Sequence, residues 1–208
     1  MGGISAEAIG NSLDELAARE PMIAAALAQV GYPEPRTNER GYATLLRTIV
    51  GQQVSLASAA AIWRKLEAAL GRAEDPALLA AADDQLLRGA GLSRQKIGYA
   101  RSLAEEVVSG RLDLFNLPAD DEDAIAELVR IKGIGRWSAE IYLLFAEGRP
   151  DSWPAGDLAV QIAMGRMLGL ADKPSEKYLR DISEPWRPHR GSLAIFAWRF
   201  YKMWNSPI

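Results

Sequence analysis

Two short stretches carry residue types whose spacing could do chemistry. The first is Leu128-Val129-Arg130-Ile131-Lys132-Gly133-Ile134-Gly135-Arg136-Trp137-Ser138-Ala139, where two glycines two apart separate two helix-forming segments. Without a Cβ, Gly133 and Gly135 permit a tight turn and leave backbone N–H groups uncovered where the next helix begins. A phosphate can approach such groups closely, and phosphate contacts position a protein on a nucleic acid without reading its sequence. The alternative is an ordinary turn between two helices, whose glycines only make the bend. The second stretch is Trp153-Pro154-Ala155-Gly156-Asp157-Leu158-Ala159-Val160-Gln161. Here Pro and Gly prepare a bend and place Asp157 at or near a helix start, where its carboxylate suits an N-cap. The only histidine, His189, lies beside Arg190 and fits a surface or backbone-contacting residue better than a catalytic one.

Helices must position these residues. Apolar residues recur at three- and four-residue spacing over Asp14 to Val30, Tyr42 to Leu70, Pro76 to Arg88, Ser93 to Ser109, Asp121 to Arg130, Trp137 to Glu147, Leu158 to Leu168 and Ser192 to Trp204. Ala and Leu dominate, and Gly or Pro punctuates the gaps, so the spacing predicts helices and no sheet. Met1 to Ser12 reads as a loose tail. The 208 residues, 49% of them apolar, suffice for one sizeable core or two small helical lobes.

Several classes drop out on composition. The absence of cysteine excludes disulfides, thiolate zinc sites and cysteine-ligated iron-sulfur clusters, and permits a reducing compartment. No apolar run approaches the roughly 20 residues that span a bilayer, and the first residues lack a basic region followed by an apolar one, so a cytoplasmic protein without membrane contact is expected. The net charge of -3 argues mildly against a nucleic-acid partner. Distribution can override the total: Lys173, Lys177, Arg180, Arg187, Arg190, Arg199 and Lys202 face few acids in their stretch, and Arg130, Lys132 and Arg136 form a second cluster. Each also fits a solvated helix face.

The pairing of Gly-Ile-Gly-Arg-Trp-Ser-Ala with a downstream Pro-x-Gly-Asp-Leu-x-Val-Gln segment resembles the DNA-3-methyladenine glycosylase II branch of the helix-hairpin-helix-GPD superfamily, over about Pro21 to Trp204. The resemblance implies an all-α fold of two helical lobes around a cleft, with no β domain. One lobe would run over 38–147 and carry the helix-hairpin-helix. The other would join 13–37 to 148–208 and carry Asp157 as the catalytic carboxylate. Trp137, Ile141 and Trp198 fall where relatives line the base pocket, Ile141 where some carry tyrosine. Trp63, Trp186 and Trp204 are read as core.

Other positions follow from the same resemblance. Gly133, Gly135, Arg136 and Ser138 would meet the DNA backbone, while the carbonyls of Val129, Ile131 and Ile134 would hold a monovalent cation, Na+ or K+. Gln53, within Leu45 to Ser55, would fill the gap left by a flipped base; read alone, Gln52 and Gln53 are a polar helix end. Trp137 stands where bifunctional relatives place an attacking lysine, and Gly156 where some place a second acid. The implied activity is monofunctional hydrolysis of 3-methyladenine- and 7-methylguanine-type bases from double-stranded DNA in base excision repair, by a monomer with no required cofactor, on the nucleoid in a bacterium. A glycosylase for another lesion class and a non-catalytic helix-hairpin-helix DNA-binding module remain open readings.

Overall fold

The computed structural model describes residues 2–204; Met1 and residues 205–208, which end the expected tail and second lobe, lie outside the described residues. Every regular element among the described residues is helical, and none is a strand. The helices gather into two compact units, one formed by Glu39–Tyr142 and the other by the chain on either side of it.

In the Glu39–Tyr142 unit, the helices are α3 (Tyr42–Gly51), α4 (Leu56–Leu70), α5 (Pro76–Ala81), α6 (Asp84–Gly89), α7 (Arg94–Val108), α8 (Asp121–Leu128) and α9 (Arg136–Tyr142). Helix α7 is the spine, packed on α3, α5 and α6. It buries Ile97, Ala100, Leu103 and Ala104, the stripe that a 3.6-residue repeat turns inward. Leu45, Leu46 and Ile49 of α3 are fully buried, each worth about 1.5–3 kcal/mol of transfer free energy. Ser55, Asp75, Asp83, Ser93 and Asp120 cap the following helices with side-chain oxygens.

The second unit contains α1 (Ala6–Arg19), α2 (Pro21–Val30), a π-helical turn (Leu143–Glu147), α10 (Leu158–Met167), α11 (Glu176–Ile182), a 3-10 turn (Glu184–Trp186) and α12 (Arg190–Trp204). Helix α12 packs on α10, α1 and α2 and buries Leu193, Phe196, Ala197 and Phe200.

The structure corrects several sequence expectations. The first dozen residues are not a loose tail: Ser5 caps α1, and Ile9, Leu13 and Leu16 are fully buried. Three apolar side chains on one face outweigh the small, polar character of their neighbours. The segment Asp14 to Val30 is two helices, because Pro21 holds Glu20 extended at φ -124°. Tyr42 to Leu70 also breaks, at Gln53, whose φ of 55° is the one left-handed value among described non-glycine residues. Trp204 is 58% exposed and covers Arg166 and Phe200 at the surface, whereas Trp63 and Trp186 are core.

Candidate functional site

The carboxylate of Asp157 is fixed by the loop that precedes it and by two donors. Asp157 N–H donates to the Pro154 carbonyl at 2.9 Å, and Ala155 N–H to that of Trp153 at 2.8 Å, which winds the loop into the start of α10. The loop carbonyls are then taken by distant side chains. Gln161, 7% exposed, donates Nε2 to the Ala155 carbonyl at 2.9 Å and accepts Lys173 Nζ on Oε1 at 2.6 Å. Arg180 reaches the Trp153 carbonyl at 3.3 Å while pairing with Glu176 at 2.7 Å. These bonds pin the backbone of the bend, so the half-buried Asp157 stands on a rigid base.

Asp157 is the N-cap of α10, as its position in the sequence suggests, with Oδ1 accepting Val160 N–H at 3.0 Å. The same oxygen accepts the indole Nε1–H of Trp198 at 3.0 Å. The Trp198 ring lies 5.5 Å from that of Phe145 at a 34° tilt, and the Arg36 guanidinium sits 5.0 Å over the Phe145 ring. At Gly156, an added Cβ would stand 2.9 Å from Glu176 Oε2, so the Glu176 carboxylate approaches the position where some relatives carry an acid.

The segment leading into this loop is clamped by α12. Arg190, 8% exposed, grips Asp151 through two hydrogen bonds of 2.7 and 2.9 Å and reaches Glu184 at 3.1 Å. Arg187 joins them from the surface, pairing with both Asp151 and Glu184. Gly191 approaches the Pro150 carbonyl so closely that a Cβ would lie 2.6 Å from it. Several basic residues of this stretch are therefore clamps within the chain, among them Arg180, Arg187, Arg190 and Arg199, the last of which donates to the carbonyls of Val30 and Gly31. His189 faces Glu15 at 3.0 Å. Sequence reading missed Gln161, Lys173, Arg180, Asp151 and Arg190, and no local signal marks them, since their partners lie 6 to 39 residues away.

In the other unit, the candidate hairpin joins α8 to α9. Gly133 has φ 85°, and an added Cβ would stand 2.2 Å from the ring of Tyr99, so backbone and neighbour both demand glycine. Ile131 and Ile134, 1% and 4% exposed, tuck the turn onto the core. Ser102 Oγ accepts Lys132 N–H at 3.1 Å. Gly135 has no neighbour within 4 Å of an added Cβ, so nothing among the described residues requires glycine there. The open space lies at the first turn of α9, where helix N–H groups have no partners of their own helix.

The remaining hairpin residues divide between surface and interior. Val129 is 40% exposed and Trp137 46%, with the half-buried Ile141 one turn after Trp137 on the same face. Ser138 is buried. The Arg136 guanidinium donates to Glu122 and, at 2.9 Å, to the buried Glu140, and these bonds, that to Glu122 foremost, raise its affinity for a proton. Beside the turn, Gln52 Nε2 donates to the Gly133 carbonyl at 2.8 Å, and the neighbouring Gln53 is exposed. The structure thus brings Asp157 to Trp198, and the hairpin to the Gln52–Gln53 turn.

Comparison with known proteins finds similar chains and similar folds. The Bacillus subtilis (strain 168) protein YfjP, provisionally named as a DNA-3-methyladenine glycosylase, is 31% identical over 76% of this chain; the chain spans 58% of that relative's length. A DNA-3-methyladenine glycosidase structure from Bacillus halodurans superposes with a TM-score of 0.76 at 31% identity, covering 89% of this chain and 91% of that one. The Schizosaccharomyces pombe 3-methyladenine DNA glycosylase in complex with abasic DNA gives a TM-score of 0.77 at 26% identity, covering 95% of this chain and all of that one. Residues 46–188, which contain the hairpin and Asp157, match the family described as HhH-GPD superfamily base excision DNA repair protein, and the chain belongs to that superfamily.

Proposed function

We propose that the protein is a monofunctional DNA glycosylase that hydrolyses the N-glycosidic bond of alkylated bases, of 3-methyladenine and 7-methylguanine type, in double-stranded DNA. The observation that carries this reading is the Asp157 carboxylate, held by a backbone N–H and the Trp198 indole N–H in a chain of this superfamily. The names of the Bacillus halodurans and fission yeast structures support the substrate class, and the abasic DNA in the latter supports the partner.

Cleavage of the bond between C1′ and the base nitrogen sends the electron pair to the base and leaves positive charge on the sugar. A fixed carboxylate stabilises that charge, and it can steer a water whose oxygen bonds to C1′ while one of its protons passes to the carboxylate. A base alkylated on a ring nitrogen departs as a neutral molecule, so it needs no strong general acid. Both donors act on Oδ1, which orients the group at no reorganisation cost when charge develops. Trp198, beside Asp157, receives the flipped base in this reading, and an electron-rich indole suits a cationic one.

The hairpin holds the DNA backbone through the Gly133 and Gly135 region, with Arg136 and Ser138. Arg136 acts there mainly by bracing α9, since Glu122 and Glu140 occupy its guanidinium. A monovalent cation, Na+ or K+, would sit on the carbonyls of Val129, Ile131 and Ile134. The Ile131 carbonyl already accepts Ile134 N–H at 3.0 Å and has a second lone pair for such an ion. Gln53 fills the gap in the stack. Trp137 in the lysine position of bifunctional relatives supports a water nucleophile without strand cleavage. We place the protein in the cytoplasm as a monomer; no helix among the described residues is long and apolar enough to cross a membrane.

The test is chromatography of bases released from methylated duplex DNA. The parent should release 3-methyladenine and 7-methylguanine and Asp157→Asn should not, with no complex trapped by borohydride in either. Release by Asp157→Asn at the parental rate overturns the role of Asp157, and a trapped complex revives an amine nucleophile.

A further inference from the structure

The turn between α3 and α4 is held from several sides. Gln53 sits in a left-handed conformation that glutamine adopts at a cost, so something must hold the turn in place. Lys96, on α7, caps the end of α3 by donating Nζ to the Val50 carbonyl at 2.7 Å, and burial lowers its affinity for a proton. Gln52 donates Nε2 across to the Gly133 carbonyl at 2.8 Å. On the hairpin side, α7 supplies the Tyr99 ring against Gly133 and Ser102 Oγ under the Lys132 amide. One helix therefore braces both turns, and one side-chain hydrogen bond joins them directly.

We infer that Gln52 is a positioning residue that sets the register between the side chain entering the base stack, Gln53, and the hairpin gripping the DNA backbone. This rests on the glycosylase reading above. A hairpin alone can hold any duplex by its phosphates. Displacing one nucleotide requires that the inserted side chain meet the stack at a fixed distance from those phosphates. The Gln52 bond ends on the carbonyl of Gly133, whose conformation defines the hairpin, so it transmits position without touching DNA. Gln52→Leu keeps the bulk and deletes the donor. Gln52→Glu keeps the shape and sets a carboxylate against the carbonyl.

The test compares both variants with the parent on a duplex carrying 7-methylguanine, on a duplex with an abasic site and on an undamaged duplex, with melting curves beside them. Undamaged-duplex affinity should stay near the parental value. Abasic-duplex affinity and the single-turnover rate constant at saturating protein should each fall roughly two- to tenfold, the effect of one lost hydrogen bond, with more loss in Gln52→Glu. A 2-aminopurine placed beside the lesion should brighten less on binding. Misfolding lowers the reaction amplitude but not the rate constant, so an amplitude loss alone overturns the inference. So do equal rate constants and equal abasic selectivity in all three proteins. A parent that neither binds abasic duplex nor releases a base overturns the glycosylase reading and this inference with it.

Discussion

Asp157 stabilises the fold as well as serving the proposed chemistry, and replacing it separates the two. In Asp157→Ala, α10 loses the cap on Val160 N–H, worth about 1 kcal/mol. Trp198 loses the acceptor of its indole N–H. A fully buried orphaned donor costs about 1–3 kcal/mol, and the half-buried Trp198 belongs near the lower end. The sum, about 2 kcal/mol, lowers the melting midpoint of a protein of this size by roughly 4–8 °C. Asp157→Asn behaves differently. Its side-chain oxygen still accepts from both donors, and asparagine caps helices about as well as aspartate. What disappears is the attraction between a negative charge and the helix N-terminus, about 0.3–1 kcal/mol. Urea unfolding followed by far-UV circular dichroism and by tryptophan fluorescence measures the difference, and coincident curves justify a two-state fit. Asn should lie close to the parent and Ala clearly below it, although both lose base release. Trp198→Phe closes a double-mutant cycle with Asp157→Ala: both remove one contact, so the pair should cost less than the sum. Equal destabilisation by Asn and Ala, or strict additivity with Trp198→Phe, would refute the capping role of Asp157 and the donor role of Trp198.

Two further predictions concern the hairpin and the α12 clamp. Gly133→Ala drives a methyl group into the Tyr99 ring at a φ of 85° and should lower both stability and affinity for abasic duplex. Gly135→Ala meets nothing within 4 Å, so it should change the urea midpoint little while weakening that binding in fluorescence anisotropy, and unchanged affinity would mean that no phosphate comes close there. Arg190→Met strips a buried guanidinium from Asp151 and Glu184 and should cost about 3 kcal/mol, the low end for a broken buried pair, because Arg187 still neutralises Asp151; a urea-derived loss below about 1 kcal/mol would show that the clamp is dispensable.

How much of this was legible in the sequence depended on where the physical cause lay. Helices were readable because their cause is local periodicity, and the hairpin because Gly133 needs a left-handed backbone. The break after α3 was only half legible: Gln52 and Gln53 read as a polar helix end, but the apolar repeat runs on from Tyr42 into α4, and the turn is held by Lys96 and by Gln52 reaching 81 residues ahead to Gly133. Basic residues were misleading for a related reason. Arg199 and Arg190 look in sequence like parts of a solvated cationic face. Their partners are a carbonyl 169 residues away and an aspartate 39 residues away, which no charge pattern along the chain reveals.

Asp157 shows why a helix cap and a candidate catalytic carboxylate look alike in sequence. Capping by an aspartate requires it just before the first turn of a helix, in extended conformation, with one oxygen turned to the backbone. A carboxylate meant to face developing positive charge needs the same rigid pose, because an orientation fixed beforehand costs nothing when the charge appears. Capping is thus the means of positioning rather than a competitor to function, and local sequence cannot separate the two. What distinguishes Asp157 from Asp83 or Ser93, which also cap their helices, is the second donor, Trp198 Nε1–H, arriving from α12. A cap needs no indole. That bond also refines the part proposed for Trp198: with its N–H given to Asp157 and its ring beside Phe145, any base stacked on it would lie next to the group that aims the carboxylate.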